Sequence, residues 1–301
     1  MPNQYWAEVV THQDLGGDFW LLTLNNEELA REAKPGQFLH IKVSPGLTPL
    51  LRRPISIHDV VGAEIKILYQ VLGEGTRLLT KFIAGDKIDV MGPLGNGFSL
   101  NVLNEKGESQ DNASQKVAVV AGGIGTAPLM YLVKELVAKG SEVTLYQGGR
   151  SKEYLLGKEQ FEALKLDYKI ATDDGSFGHH GFVTELLEED LNRSSSKELS
   201  KDLTGDLKEK AFDYIYSCGP HLMLRGVAKL AEKYNVPSEV SLEERMGCAT
   251  GACLACVCKV KVKDSVNTNN CNNDQKEVDF TYKKVCLDGP VFKGEEVVFD
   301  D

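Results

Sequence analysis

The sequence predicts a multidomain β plus α/β protein: an N-terminal antiparallel β-barrel at 1–103, a parallel-sheet α/β domain at 104–237, and a small C-terminal domain at 238–301 built around cysteines. Three observations carry this reading. Residues 4–100 break into short β-like runs separated by Gly and Pro turns, with little helical periodicity. After a polar, aperiodic stretch at 104–115 the pattern changes to strands alternating with amphipathic helices, the signature of a parallel sheet. Near the C-terminus Cys248, Cys253 and Cys256 stand at the spacing C-x4-C-x2-C.

Composition limits the function. The 301 residues are 42% hydrophobic and 26% charged, ordinary for a globular protein with room for more than one core. The net charge of −10 argues against a nucleic-acid footprint and against anionic membranes. No apolar run reaches the ~18 residues expected of a membrane span. The N-terminal MPNQYWAEVV lacks the basic and apolar regions of a signal peptide. Seven cysteines, an odd number, suit ligation and free thiols in a reducing compartment better than disulfides, so a cytoplasmic location is expected.

In the barrel, strands are expected at 5–10, 19–24, 37–43, 65–71 and 87–90. Their regular spacing suggests a small closed barrel. Within it Leu51-Arg52-Arg53-Pro54-Ile55-Ser56-Ile57 sets an Arg near a strand end and a hydroxyl three residues on. A guanidinium fork pairs bidentately with diphosphate oxygens, and the Ser adds a hydrogen bond. Arg-Arg on a strand edge is also compatible with a solvated face. A second fragment, Leu68-Tyr69-Gln70-Val71-Leu72-Gly73-Glu74-Gly75-Thr76, ends in a turn whose backbone N–H groups suit a phosphate. Met91 to Phe98 reads as a glycine-rich turn closing the domain.

The α/β domain opens with a buried strand at 116–121, the turn Gly122-Gly123-Ile124-Gly125-Thr126-Ala127-Pro128 and a helix at 129–139. Strand, glycine-rich turn and helix together offer a helix N-terminus to a pyrophosphate, although the spacing departs from GxGxxG. Pro128 suits the first helical turn, where its missing N–H costs nothing. Strands at 142–147 and 167–171 flank a helix at 158–164. Asp173-Asp174-Gly175-Ser176 is either a ribose contact or a simple turn, and Arg150-Ser151 offers charge to a 2′-phosphate. His179 and His180 are expected at the surface, and 192–210 as a solvated insertion. A strand at 212–217 leads into Cys218-Gly219-Pro220 and a helix at 221–234, which puts Cys218 at the strand end where open α/β sheets bind ligands.

The cysteine loop, SLEERMGCATGACLACVCKV, has small residues in nearly every gap. Four thiolates hold a [2Fe–2S] cluster, and the plant-type spacing is C-x4-C-x2-C plus one distant cysteine. Gly and Ala let backbone N–H groups approach the sulfurs. Structural zinc usually takes paired C-x2-C or helix-borne His ligands, and one C-x2-C alone does not supply them. For the fourth ligand, Cys271 stands in an Asn-rich stretch, whereas Cys286 lies between a β-like run and an Asp-Gly-Pro turn with apolar neighbours. Cys286 is chosen, and Cys258 is expected to point away from the loop.

These motifs together resemble the ferredoxin–NADP reductase superfamily. The order LLRRPISI, GEGT, MGPLGNGF, GGIGTAPL, CGPHLML, EERMGCATGACLACVCKV and YKKVCLDGPVF is most similar to the electron-transfer subunits of NAD-dependent, type B dihydroorotate dehydrogenases. The resemblance implies a barrel binding FAD, an α/β domain receiving NAD and a C-terminal domain holding [2Fe–2S]. Arg53, Pro54, Ile55, Ser56, Leu68, Tyr69 and Gln70 would meet the FAD, with Gly75 and Thr76 at its phosphates. The candidate nicotinamide-cofactor residues are Gly122, Gly123, Gly125, Thr126, Cys218 and Gly219, and the cluster ligands Cys248, Cys253, Cys256 and Cys286. Departures from the pattern are insertions at 104–115, 192–210 and 264–278.

The resemblance also implies a partner: an FMN-containing catalytic subunit that makes orotate for pyrimidine biosynthesis, in a heterotetramer with two of each chain. No catalytic residue is expected here, because no residue in the sequence stands out as able to abstract a substrate proton. Nicotinamide exchanges two electrons as hydride and a cluster passes one, so a flavin must stand between them. Apolar residues around the cysteine loop are expected to be covered by the partner. The alternatives are a flavin and iron–sulfur subunit of a sulfide dehydrogenase or of a ferredoxin–NADP transhydrogenase, a self-sufficient NADH reductase, and a zinc-stabilised binding module.

Overall fold

Strict in–out alternation starts the first strand: Tyr5, Ala7 and Val9 are buried and their neighbours exposed. In a computed structural model, which describes residues 3–44, 46–100, 115–197, 210–262 and 279–300, this pattern builds an antiparallel barrel. Its strands are β1 (Gln4–Gly16), β2 (Phe19–Asn25), β3 (Phe38–Ile41), β4 (Arg53–Ser56), β5 (Asp59–Val61), β6 (Glu64–Gln70) and β7 (Lys87–Leu94), in the order β4-β3-β7-β1-β2-β6-β5. Only Ile57 and His58 join β4 to β5, and the His58 N–H donates to the Lys66 carbonyl at 2.8 Å, so the two edges of the sheet are drawn together. β7 runs on through Gly92 and Pro93 to Leu94, past the turn expected there.

Two short helices decorate the barrel, α1 (Glu27–Glu32) and α2 (Glu74–Leu79). α1 is capped by Asn26, whose side chain accepts from the Leu29 N–H at 2.9 Å. It buries Leu29 and Ala30 in the barrel core. At six residues it is too short to show a helical period, which is why the sequence pattern passes over it.

The second sheet contains β8 (Lys116–Gly122), β9 (Glu142–Gly149), β10 (Asp167–Thr172), β11 (His179–His180), β12 (Tyr214–Cys218) and β13 (Ser238–Ser241), all parallel. Helices α3 (Leu129–Ala138), α4 (Lys158–Ala163), α5 (Val183–Lys197) and α6 (His221–Lys233) connect them. In the order β11-β10-β9-β8-β12-β13 the chain reverses direction of growth between β8 and β12, which opens a crevice at their carboxyl ends. A single 3-10 turn, Gly123–Thr126, separates β8 from α3, so Pro128 caps the helix from outside it. α5 continues through residue 197, correcting part of the insertion expected at 192–210; Asn192 and Arg193 on it are exposed as expected of a solvated face.

The C-terminal segment adds a hairpin, β14 (Val257–Lys261) and β15 (Phe280–Lys284), then returns as β16 (Val291–Lys293) antiparallel to β13. The cysteine segment is therefore an excursion between two neighbouring strands of the α/β sheet, and that sheet spans the expected boundary at 238. One apolar core joins Phe38 and Leu94 of the barrel, Leu224 of α6 and Val240 of β13 to Ala249, Cys256, Val285 and Cys286. The barrel is tied to the α/β domain elsewhere by His58, whose Nδ1 lies 2.8 Å from the Ala127 carbonyl and whose own carbonyl accepts from Tyr131 N–H at 2.9 Å.

Candidate functional site

The two adjacent arginines do different work. Arg52 is held in the barrel, 2.7 Å from the Asp89 carboxylate and 3.0 Å from the Asp89 carbonyl. Arg53 keeps to the carbonyl side of its own loop and lies across Gly75, where a β-carbon would stand 2.1 Å from its Nε. Gly75 thus makes room for a guanidinium, and its neighbour Thr76 folds its hydroxyl back to accept from the Leu72 and Gly73 N–H groups at 3.0 and 3.3 Å.

These residues open onto a cavity of about 700 Å³ lined by Arg53, Pro54, Ile55 and Ser56 of β4, Leu68, Tyr69 and Gln70 of β6, and Thr76. Gly75 acts from behind Arg53 and is not itself a wall. The far side is supplied by Ile124 and Ala127 of the glycine turn and by Ser241, Leu242, Glu243, Glu244, Arg245 and Met246. A large, mostly apolar cleft with two arginines at one end suits a planar ring carrying a diphosphate tail.

A second cavity of about 780 Å³ occupies the crevice between β8 and β12. Gly122, Gly123 and Gly125 form one wall, Gly148, Gly149 and Arg150 of the β9 end another, with Gly219, Asp173, Phe182 and Leu222 around them. Gly125 is required by packing: a β-carbon there would meet the Cys218 carbonyl carbon and oxygen at 2.5 Å. Thr126 is wholly buried and anchors the turn, its hydroxyl accepting from Gln147 Nε2 at 3.1 Å. Gln147 also donates to the Leu156 carbonyl at 2.8 Å and accepts from Tyr168. Cys218 lies beneath Gly219 at the end of β12, 1% exposed, and burial pushes its thiol well up. Its thiol packs in the core and Gly219 forms the wall above it.

Asp173 lines this cavity, so the Asp-Asp-Gly-Ser turn is also a wall. His179 and His180 are exposed as expected, and His179 Nε2 lies 2.8 Å from the Glu185 carboxylate.

The two cavities share Gln70, Leu72, Ile124 and Glu243. Rings seated in each would meet across these four side chains, the proximity that hydride transfer needs.

Past Met246 the first cavity's wall runs directly into the cysteine loop. Thr250, Ala252 and Cys253 N–H groups point at Cys248 Sγ from 3.4, 3.3 and 3.4 Å, and Cys286 N–H points at Cys256 Sγ from 3.4 Å. The backbone takes positive φ at Ala249, Gly251 and Leu254 to turn these donors inward. The thiols fall into two pairs, Cys248 beside Cys253 and Cys256 beside Cys286. Burial alone would raise the Cys248 thiol; hydrogen bonds from the Thr250 and Cys253 backbone outweigh it and bring it to about 6. Burial, then the neighbouring Cys256 thiol, push Cys286 up to about 12.

Two pairs of sulfurs with inward N–H groups fit a binuclear cluster, which takes two thiolates on each iron. They fit a single ion poorly: among the described residues no three Cys, His, Asp or Glu side chains gather around one point. Cys258 on β14 is half-buried and packs against the core that holds Cys256 and Cys286 rather than pointing clear of it, and burial lifts its thiol to about 11. Cys271 lies outside the described residues.

Comparison with known proteins agrees with this geometry. A family model described as the iron–sulfur cluster binding domain of dihydroorotate dehydrogenase B matches residues 243–298, and an oxidoreductase NAD-binding domain matches 119–229. A dihydroorotate dehydrogenase B (NAD(+)) electron transfer subunit of Desulforamulus reducens is 36% identical over all of both chains. One of Bacillus pumilus is 41% identical over 97% of each. The chain belongs to the electron-transfer subunits of dihydroorotate dehydrogenase B. Among solved structures, an NADH-dependent reduced ferredoxin–NADP oxidoreductase superposes with a TM-score of 0.71 at 26% identity, covering 99% of this chain and 92% of that one. The ferredoxin–NADP reductase-like fold is thus shared with that oxidoreductase, while the sequence identity to the dihydroorotate dehydrogenase subunits is higher.

What sequence reasoning missed is the second wall of the first cavity. Ile124, Ala127 and Glu243 to Met246 lie far in sequence from the barrel motifs they face. The signal was present in the Glu-Glu-Arg-Met run before Cys248, read only as a lead into the loop.

Proposed function

We propose that this chain carries electrons from the FMN of a catalytic dihydroorotate dehydrogenase subunit to NAD+, with the cavity over β4 and β6 holding FAD, the β8–β12 crevice receiving NAD, and Cys248, Cys253, Cys256 and Cys286 holding [2Fe–2S]. The observation that carries the reading is the continuity of the three sites: the two cavities share four side chains, and Met246 both lines the flavin cavity and packs in the core that contains Cys256 and Cys286. When bound, the flavin supplies the conversion between single electrons and hydride.

The chain's own residues bind, orient and shield. Arg53 and the α2 start meet the diphosphate; Pro54, Ile55 and Tyr69 wall the ring; Gln147 holds the glycine turn through Thr126. The cysteine loop excludes water on its inner side, where Cys256 and Cys286 are each 2% exposed. Its outer side presents Cys253, Leu254 and Leu287, with Phe280 and Tyr282 exposed on the following hairpin. An apolar face beside a cluster supports docking of the catalytic subunit there, in a heterotetramer of two chains of each kind. We assign flavin binding to 1–103, nicotinamide binding to 104–237 and cluster binding to 238–301, whose strands β13 and β16 belong to the α/β sheet.

Among the described residues no helix is long and apolar enough to cross a membrane. A cytoplasmic location is supported by the odd number of cysteines and their use as ligands.

The deciding experiment purifies the chain with its catalytic partner and follows dihydroorotate-dependent NAD+ reduction. Omission of this chain should abolish NAD+ reduction while leaving reduction of an artificial acceptor by the partner. Full NAD-linked activity from this chain alone, or its failure to bind the partner, overturns the assignment.

A further inference from the structure

His58 lines neither cavity, yet it stands between their walls. It follows Ser56, a wall of the flavin cavity, after Ile57 alone, and it is 2% exposed. Its hydrogen bonds cross between the two domains. The backbone N–H donates to the Lys66 carbonyl at 2.8 Å inside the barrel, and the backbone carbonyl accepts from the Tyr131 N–H of α3 at 2.9 Å. The ring reaches further, with Nδ1 2.8 Å from the Ala127 carbonyl and Nε2 3.4 Å from the Gln160 side-chain amide on α4. A carbonyl only accepts, so Nδ1 carries the ring proton and donates it to Ala127. Burial lowers the pKa of the ring, which leaves Nε2 unprotonated.

Ala127 closes the glycine turn, its N–H donating to the Ile124 carbonyl at 2.8 Å. Within that turn Ala127 lines the flavin cavity, Gly125 lines the nicotinamide cavity and Ile124 lines both. The turn is pinned to its own sheet by Gln147 on Thr126 and by the close approach of Gly125 to Cys218. Those contacts fix it within the α/β domain, but they do not set where the barrel stands against it. His58 does. From Ser56 to Ala127 the path runs through Ile57, the His58 ring and one hydrogen bond.

Hydride transfer depends steeply on distance. The reacting atoms must come within about 3–3.5 Å, and a displacement of about 1 Å costs about a hundredfold in rate. We propose that His58 is a positioning residue for hydride transfer, its Nδ1–H holding the Ala127 carbonyl so that the wall shared at Ile124 keeps a fixed place against the barrel. In that step one hydride leaves the reduced flavin, which is oxidised, and the NAD+ ring that receives it is reduced; His58 exchanges no proton and forms no bond. The proposal rests on the assignment of the two cavities to flavin and nicotinamide.

Two substitutions separate the contacts of the ring. Asn places its amide nitrogen as many bonds from Cβ as His places Nδ1, and Gln places its own where His places Nε2. Both put a neutral amide in the same buried position, but only Asn keeps a donor toward Ala127. The neighbouring Asp59 supplies a control. Its carboxylate meets Lys134 of α3 at 2.7 and 2.9 Å, so Lys134→Met weakens the same junction without touching the turn.

The test uses the complex with its catalytic partner, loaded with flavin and cluster. The tetrahydro form of the reduced nucleotide, which has no transferable hydride, is titrated into the oxidised protein, and the long-wavelength charge-transfer absorption of stacked flavin and nucleotide is recorded. Stopped-flow reduction of the flavin by saturating NADH gives the transfer rate. We expect His58→Gln to lose most of the charge-transfer absorption and roughly tenfold to a hundredfold in rate, with analogue affinity changed less than about threefold. His58→Asn should keep both signals within about twofold, and Lys134→Met should keep them while unfolding at lower denaturant. Equal losses in His58→Asn and His58→Gln, a matching loss in Lys134→Met, or an unaffected His58→Gln overturns the role of His58 and leaves the cavity assignment standing. Should His58→Gln not take up flavin, His58→Asn decides: parental absorption and rate support the role, and their loss overturns it. If the parent protein itself shows no charge-transfer absorption, the cavity assignment fails and this inference with it.

Discussion

The Nε of Arg53 lies 2.1 Å from the point where a β-carbon on Gly75 would stand. Two segments more than twenty residues apart are therefore matched as guanidinium and gap, and the match distinguishes two adjacent arginines that both line the cavity. Arg52 is spent on Asp89. Arg53 is left over Gly75 and beside Thr76.

Gly75→Ala should displace that guanidinium while leaving α2 itself better formed, since Ala is the stronger helix former. A charge-assisted hydrogen bond contributes about 1.5–3 kcal/mol, so FAD affinity should fall roughly tenfold to a hundredfold. Equilibrium titration of flavin-stripped protein with FAD checks it. Arg53→Ala should match the loss, and the double variant should add little to either. An additive double variant would show that Gly75 acts independently of Arg53.

The same pair shows how far the sequence was legible. Arg53, Pro54, Ser56, Tyr69 and Gln70 were found because strand motifs of alternating residues put neighbours on one wall, a local property. The long strands and helices were found for the same kind of reason, since β1, α3 and α6 have a clear period and β8 is an unbroken apolar run. α1, β5 and β11 were not, being too short to show one. Thr126 looked like a ligand contact and is a buried anchor, because the distinction depends on Gln147, which arrives from another strand. Glu243 and Met246 escaped for a topological reason. The excursion between β13 and β16 folds over the barrel, and nothing local to those residues records what they face.

The barrel and the α/β domain also meet through Asp59 and Lys134, at 2.7 and 2.9 Å. The two sides are unequal: the Asp59 side chain is 9% exposed and that of Lys134 is 37% exposed. Removing the buried partner leaves an ammonium that water can reach, whereas removing the exposed partner strands a carboxylate. Lys134→Met should therefore cost about 2–3 kcal/mol and Asp59→Ala about 1 kcal/mol, measured as denaturant unfolding free energies. Equal costs would mean that the pair is solvated on both sides.

His40 on β3 is 2% exposed and neither ring nitrogen has a hydrogen-bond partner. Burial, then the Arg52 charge, lower its pKa from 6.5 to about 4. Between those values the unfolded chain binds the proton and the folded chain does not, so stability rises with pH across this window. The full contribution is present above 6.5 and is lost as pH falls toward about 4. The swing is on the order of 3 kcal/mol. His40→Leu removes the titrating group without breaking a hydrogen bond, so the variant should match the parent near neutrality and be the more stable at low pH. Unfolding midpoints across that pH range test it, and parallel curves for the two proteins would show that His40 does not titrate between the states.

The proposed cluster ligands give the sharpest contrast among similar residues. Cys286 is buried beside Cys256, its N–H directed at the Cys256 sulfur, so its thiolate completes the second pair. Cys258 is two residues from Cys256, pairs with Lys283 in the hairpin and packs against the same core, and its N–H and sulfur make none of the contacts described above for the two thiol pairs. An iron that loses one of its two protein thiolates is left with an incomplete ligand set, and the cluster should not assemble. Cys286→Ser should therefore lose the visible iron–sulfur absorption and most of its iron and labile sulfide. Cys258→Ser and Cys271→Ser should each keep roughly two irons per chain. FAD should still bind to Cys286→Ser, because the walls contributed by β4 and β6 do not depend on the cysteine loop. A Cys271→Ser variant without iron–sulfur absorption beside a fully loaded Cys286→Ser would reassign the fourth ligand.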